Sequence, residues 1–385
     1  MPADTRLAAT IPRSAVDAKG GMLGENRRPE RDPIAANGGL TRGQRSALLR
    51  RGIAAPCAIF LPLLAAYAFN LLLIATTGGP LAFLLSLPCA VVIGSMFVIG
   101  HDACHHAFSS SRILNHVIGR IAFLTSLHNF SLWDVGHNRT HHRYTNLRGK
   151  DYPWEPMSPE EFAAARTSAR MLYRFFRTPL GVPLYYTFDI WARRMAFARP
   201  SVVGLVCPLA PVHIADTLLV WLYAAGLAAT LAAIATAFGT SIVSALCFGL
   251  FLPIIVCHWM ISIVIYIQHT HPAVPWFREG NWSRERSALF ATVHVRFPLL
   301  IDKILLDVMH HNAHHLLAGI PLYKLASAQR LVAAPGMPSW RWSWSAFFDI
   351  CRRCKLFDYQ AGRWTDFDGR PTSERLFPEA KSLSQ

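Results

Sequence analysis

The sequence predicts an all-α integral membrane protein of two transmembrane helical hairpins, four spans in all, under a cytoplasmic helical cap. Three observations lead there. Of 385 residues, 52% are hydrophobic and only 16% charged, where a soluble globular chain carries roughly a quarter charged residues. Four apolar runs are long enough to cross about 30 Å of hydrocarbon. The basic residues, 38 Lys+Arg against 23 Asp+Glu for a net charge of +15, avoid two of the connections between those runs and crowd the others.

Residues 1–50 are polar and rich in Gly, Pro and Arg, the composition of a disordered tail. They hold no short apolar core with a cleavage site, so no cleavable signal peptide is expected. The first two runs, Ile53–Thr76 and Leu81–Gly100, are joined by Thr-Gly-Gly-Pro near residue 79. The last two, Thr217–Phe238 and Ile242–Ile267, are joined by Gly-Thr-Ser near residue 240. Both joints are short, uncharged turns, which makes two hairpins. Arg42, Arg45, Arg50 and Arg51 precede the first hairpin, and Arg139, Arg143, Arg148 and Lys150 stand between the two. The positive-inside rule then places both termini and the central segment in the cytoplasm. Residues 51–330 read as one membrane domain and 331–385 as a cytoplasmic C-terminal segment.

The central segment carries helical patterns of its own. Arg112, His116 and Arg120 recur every fourth position among Ile113, Val117, Ile118 and Ile121, as in a helix lying in the membrane interface. Arg166, Arg170, Arg174 and Arg177 form a second basic stripe, and Phe188, Trp191 and Phe197 flank Arg193 and Arg194 in a third. Such charge suits anionic lipid. The four membrane runs make a nucleic-acid-binding role remote. The eight Cys mostly sit in apolar runs, as small hydrophobes do, and the one C-x-x-C, Cys351 and Cys354, has no second pair to make a metal or redox set.

The chemistry lies in the seventeen His. They cluster as His101-Asp-Ala-Cys-His105-His106 after the second run, His137-Asn-Arg-Thr-His141-His142 in the central segment, and His311-Asn-Ala-His314-His315 beyond the last run, with His269 and His271 just past the fourth. On the topology above, all emerge on one side of the membrane. Residues four apart share a helix face, so His101 and His105 point together, as do His137 and His141. Imidazole suits iron, copper or zinc. Nine clustered His, ten with His271, exceed what one ion holds, so the cap is expected to carry a di-metal site. Asp102, Asp134, Asp151 and Asp307 suit the task of orienting ligand imidazoles. His116, His128, His213 and His294 read as surface or packed histidines. His258, mid-run in the fourth span, is either functional or a neutral helix–helix hydrogen bond.

The motifs HDACHH, HNRTHH and HNAHH resemble the three histidine boxes of membrane-bound fatty acid desaturases, in the same order and placement. HDACHHAFS from His101, Trp133 before the second box, and Gln268-His-Thr-His271-Pro272 with Pro275 downstream are similar to the oleate-type Δ12/ω3 branch. The resemblance covers roughly residues 50–330. It implies a di-iron centre held by His101 with His105 or His106, by His137, His141 and His142, by His311, His314 and His315, and by His271 after the fourth helix, with His269 as the less favoured choice. Two departures stand. H-x4-H spacing in the first box, as in stearoyl-type relatives, selects His106, whereas H-x3-H selects His105. The second box has three residues before its His pair where many relatives have two, which sets His137 in question.

What the resemblance implies is O2-dependent desaturation of an acyl chain by two iron ions, the apolar runs supplying a slot in which Met260, Ile263 and Tyr266 are candidate lining. The acyl group rides on a lipid, on CoA or on a carrier protein. No haem or ferredoxin motif is present, so electrons come from a separate donor of ferredoxin or cytochrome b5 type. A hydroxylase, an acetylenase and a carotenoid oxygenase share these boxes and stay open as alternatives. A membrane metal transporter is more distant, because its ligands belong near mid-membrane rather than at helix ends.

Overall fold

The structure, a computed structural model, describes residues 36–200, 206–332 and 336–376. Most of the expected N-terminal tail lies outside the described residues. Within it, α1 (Arg42–Leu49) forms where a continuing tail was expected, because Thr41 and Gln44 make a reciprocal cap at its start and Leu48 is buried.

Among the described residues, four helices are long and apolar enough to cross a membrane. Two are α2 (Ala54–Thr77) and α3 (Gly79–Cys104). Next come α4 (Arg112–Leu124), capped by Ser111, and α5 (Phe130–Trp133), which runs on through a π-helical stretch, Asp134–His141, into α6 (His142–Tyr144). Short helices α7 (Pro159–Ala164), α8 (Thr167–Phe176) and α9 (Gly181–Tyr185) follow, the last continuing as a π-helical stretch over Tyr186–Met195. The third long helix is α10 (Pro211–Ala237). The fourth is continuous from Ile242 to His269: α11 (Ile242–Leu246), a π turn Cys247–Phe251, and α12 (Leu252–His269).

The chain reverses at Gly78, whose φ of +63° suits glycine, and α3 packs back along α2. The connections at Gly78 and Thr240 touch: Gly79 N–H donates to Ser244 Oγ at 3.0 Å and Thr240 Oγ1 to the Ala75 carbonyl. Both turns therefore sit at one end of the bundle, and His101 and His269, on the last turns of α3 and α12, sit at the other. Half of the apolar window of α3 and of the fourth helix is buried, against 22% for α2 and 17% for α10. The inner pair is thus α3 and α12, and their facing surfaces frame the site.

The expected all-α fold is adjusted by two small sheets. β1 (His294–Arg296) pairs in parallel with β2 (Ser339–Arg341), and β3 (Leu356–Asp358) pairs antiparallel with β4 (Arg363–Thr365). Between and around them lie α13 (Arg284–Phe290), α14 (Leu299–Ile304), α15 (His311–Leu316), α16 (Leu325–Leu331) and α17 (Trp344–Arg353). Among the described residues after 331, Phe347, Ile350, Cys351, Cys354 and Trp364 join the same core as α3 and α12, and Trp364 Nε1 donates to the Val274 carbonyl at 2.9 Å. Cys351 and Cys354 are buried free thiols in that core. On the periphery, α4 exposes Ile113, Val117 and Ile121, and α8 exposes Met171, Leu172 and Phe175 beside its arginines. Arg177, the end of that basic stripe, is instead buried, donating to the Trp154 and Glu155 carbonyls.

Candidate metal centre

Nine histidines converge at the end of the bundle away from the two turns. Their ring nitrogens form two groups: His101, His105, His137, His142 and His314, and beside them His141, His269, His311 and His315, each with its nitrogens within 4.8 Å of one another. The groups adjoin, for the rings of His142 and His315 stack at 4.1 Å. The last turn of α3 presents His101 and His105 on one face, and α15 presents His311, His314 and His315.

The second box works through its π stretch. His142 N–H bonds to the His137 carbonyl, an i→i+5 link, and Thr140 Oγ1 donates to the Val135 carbonyl five residues back. A π turn holds one residue more than an α turn. The extra residue between His137 and the His141–His142 pair is absorbed there, and His137 stays at the centre, its Nε2 2.8 Å from His101 Nε2, 3.2 Å from His105 Nε2 and 3.1 Å from His142 Nε2.

Eight of the ten histidines singled out from the sequence lie in these groups: His101, His105, His137, His141, His142, His311, His314 and His315. His106 and His271 lie outside, and His269 stands inside. His106 ends α3 with a left-handed φ of +56°, which turns its ring toward His116, 5.5 Å away between centroids. His271 precedes Pro272, which disfavours helical backbone at that position. The helix accordingly stops at His269, Thr270 is extended, and His271 Nδ1 accepts the Ala273 N–H at 3.0 Å while its ring stacks near Trp340. The Pro272 signal was present in the sequence and favoured His269.

Partners behind the rings set their direction. Asp151, 1% exposed, places both carboxylate oxygens 3.0 Å from His141 Nδ1 and accepts the Asn146 N–H at 2.8 Å. Thr145 donates to the His141 carbonyl, so its Oγ1 is free to accept from His315 Nδ1 at 3.0 Å. In both rings Nδ1 then carries the proton and Nε2 keeps its lone pair for the centre. Of the other carboxylates expected in this role, Asp134 bonds to Asn138 and Arg139, and Asp307 to Lys303.

This donor set fits metal ions. His137 Nε2 faces three other Nε2 atoms but holds at most one proton, so most of these contacts bring lone pair toward lone pair, an arrangement that a cation at the centre stabilises. Burial pushes His105, His137, His142, His311, His314 and His315 well below the ordinary histidine pKa, and neighbouring imidazoles add to the effect. Neutral imidazole is the form that binds metal. His315 Nε2 is buried with no protein partner.

From the centre an apolar slot runs down between α3 and α12. Val91, Gly94, Val98 and His101 line it on α3, and Met260, Ile261, Val264, Ile265, Gln268 and His269 on α12. Trp133, Tyr152, Trp154 and Tyr186 close its side. Ile263 and Tyr266, expected with Met260, are not part of the lining. At about 100° per residue they fall on the far side of α12 from the Ile261–Val264–Gln268 stripe, where Tyr266 packs on Trp154 at 5.6 Å. The aromatic walls carried no periodic signal that sequence reasoning could use. His258 lies outside both histidine groups, its Nε2 3.2 Å from the Ser126 carbonyl.

A largely helical chain with four membrane-capable helices, a nine-histidine centre at one end and an apolar slot leading from it defines a membrane-embedded, metal-dependent enzyme. The fatty acid desaturase family model matches residues 78–347, and the chain belongs to that family of oxidoreductases. It is 28% identical over 299 residues to the sn-1 oleoyl-lipid 12-desaturase of Anabaena variabilis, covering 69% of this chain and 77% of that protein. It is 29% identical over 275 residues to the protein of the same name from Synechocystis, covering 69% and 73%. With the chloroplastic omega-6 fatty acid desaturase of Glycine max it shares 26% identity over 304 residues, 76% of this chain and 66% of that one. Fatty acyl desaturation is the activity these relationships assign.

Proposed function

We propose that this protein is an O2-dependent di-iron desaturase that places a cis double bond beyond an existing one in a C18 acyl group, a Δ12/ω6-type reaction on an oleoyl-like chain. The observation that carries the reading is the pair of adjoining imidazole groups at the mouth of an apolar slot. The position of the double bond is carried over from the names of the relatives.

His101, His105, His137, His142 and His314 would hold one iron, and His141, His269, His311 and His315 the other. The iron pair, when bound, supplies the oxidising power that breaks two unactivated C–H bonds, as O2 is reduced to water with two electrons from outside. The residues of this chain do the rest. Asp151 and Thr145 hold the proton on Nδ1 of His141 and His315, leaving Nε2 to the iron. The slot takes the acyl chain, excludes water and sets two adjacent carbons against the centre. Both termini, the helical cap and the centre face the cytoplasm. Supporting this are the uncharged turns at Gly78 and Thr240, which meet at the opposite end of the bundle from the histidines. The donor is a separate ferredoxin or cytochrome b5 type protein reaching that cytoplasmic face, and lipid contacts the exposed apolar ridges of α4 and α8.

The test is direct. Detergent-purified protein is assayed for iron, with two per chain expected. A host that lacks such an enzyme expresses the chain and is fed stearate or oleate separately, and double bonds are located by mass spectrometry of dimethyl disulfide adducts. A diene from oleate supports the reading. A monoene from stearate with oleate untouched overturns the Δ12/ω6 assignment, and a hydroxylated or acetylenic product overturns desaturation as the outcome.

A further inference from the structure

A second polar cluster lies inside the apolar body, apart from the metal centre. His128 and His258 are each 1% exposed. His128 Nε2 lies 2.7 Å from the Tyr186 hydroxyl, and its Nδ1 lies 2.9 Å from both the carbonyl and Oγ of Ser126. His258 Nε2 lies 3.2 Å from the same carbonyl. A carbonyl only accepts, so His128 donates through Nδ1 and its Nε2 accepts the Tyr186 O–H. Three separate parts of the chain meet here: the connection between α4 and α5, the start of the π-helical stretch at Tyr186, and α12. His258 stands eleven residues before His269, about 16 Å down the helix, so the cluster lies deep beside the slot and reaches it through Tyr186.

Titratable groups at this depth are costly and tend to serve function. None of the three rings is among the nine converging histidines, yet Tyr186 is fully buried and forms a wall of the slot. Met260, Val264 and Ile265 of α12 also line the slot, aliphatic side chains with no polar group to pin them. A reaction that acts on one C–C bond of a long uniform chain needs a wall that does not yield. The Tyr186 ring has its hydroxyl pinned, and His128 behind it packs on Trp133, which in turn stacks on His137 at 4.8 Å. The braced wall is therefore linked by contact to the centre itself.

We propose that Tyr186 is a specificity-determining residue, with His128, Ser126 and His258 as its positioning residues: the pinned ring fixes the path of the acyl chain and so which bond lies against the histidines. The proposal rests on reading the slot as the acyl site. The experiment uses full-length chain in an oleate-fed host, comparing wild type with Tyr186→Phe, which keeps the ring and loses the brace, and Tyr186→Leu, which loses both. Double-bond positions, iron content and thermal stability are read for each. Wild type is expected to give one position. In Tyr186→Leu the ratio of that position to its neighbours falls by roughly tenfold or more, the scale of discrimination that one wall contact supplies, and Tyr186→Phe falls between, both with full iron. Unchanged position in both variants, with lowered stability, makes the cluster plain packing and overturns the proposal. Loss of all product from both at full iron also overturns it, because a guiding wall moves the bond rather than abolishing it. Wild type with full iron and no diene overturns the acyl-site reading and this proposal together.

Discussion

Asp151→Asn separates the two imidazole groups experimentally. Asp151 serves His141 in the four-histidine group, with both oxygens 3.0 Å from Nδ1 and one of them also accepting the Asn146 N–H. An amide is nearly the same shape but carries no charge, and it replaces one acceptor with a donor. With its oxygen in the Oδ2 place it still accepts from Asn146 and His141, but its NH2 then stands in the Oδ1 place, donor against the His141 Nδ1–H. Removing a partner of this kind costs about 10- to 100-fold in metal affinity, or about 1.4–2.8 kcal/mol. The five-histidine group shares no hydrogen bond with Asp151, so it should hold its ion. Metal content is measured by mass spectrometry during titration with a graded chelator. Wild type is expected to release two ions together or in close steps, and Asp151→Asn to release one at about 10- to 100-fold lower chelator strength while the other stays. Equal loss of both ions, or a wild-type release curve, would refute the assignment of Asp151 to one group.

The remaining predictions test the ring positions and the fold. His141→Ala and His314→Ala should each abolish activity and lower bound iron, whereas the exposed His116→Ala should do neither; full activity in His314→Ala would sink the di-iron assignment. His269→Ala should lose metal while His271→Ala and His106→Ala keep it, which iron assay of the three proteins decides. Gly100→Ala should destabilise by about 1–3 kcal/mol, since a Cβ there would overlap the Phe123 ring across the α3–α4 contact; an unchanged melting temperature in detergent would contradict that packing. A cysteine introduced at Gly78 or Thr240 should react with an impermeant thiol reagent from outside the cell and one at Lys150 should not; outside labelling at Lys150 would overturn the proposed topology.

The four long helices were legible because a bilayer-length apolar run admits few other structures. Their ends were less so. The second was expected to stop at Gly100 and the fourth at Ile267, but they continue to Cys104 and His269. Those added residues carry His101 and His269, so the helices themselves deliver both rings to the centre. Hydropathy falls where the histidines begin, and a reading by hydropathy ends the helix there. Backbone hydrogen bonding does not follow hydropathy, and α3 continues until His106 adopts positive φ. The small sheets and the cap-to-core packing of Trp364 and Phe347 escaped for a different reason: strands of three residues show too little alternation to register.

The histidine boxes show the same principle at finer scale. Counted as α-helix, HNRTHH puts His141 on the face of His137 but His142 about 140° away from it, and beside relatives with one residue fewer in this box His137 becomes the doubtful member. The structure resolves the count through backbone winding: the wider turn over Asp134–His141 takes up the surplus residue, and His137 comes to face His101, His105 and His142. Spacing alone therefore underdetermines a metal site, since the face a residue occupies depends on the residues per turn beneath it. A box with two residues before the His pair needs no π turn to bring all three rings together, so deleting one residue between His137 and His141, for instance Asn138, should let an ordinary α turn form there. Asn138 also bonds to the Cys104 carbonyl and to Asp134, so the deletion costs those contacts while keeping every ring of the second box. Iron content near wild type in that variant is the expected result. Loss of one iron, with the helix otherwise intact by circular dichroism, would mean that the π turn sets the ring directions themselves and is more than an accommodation of length.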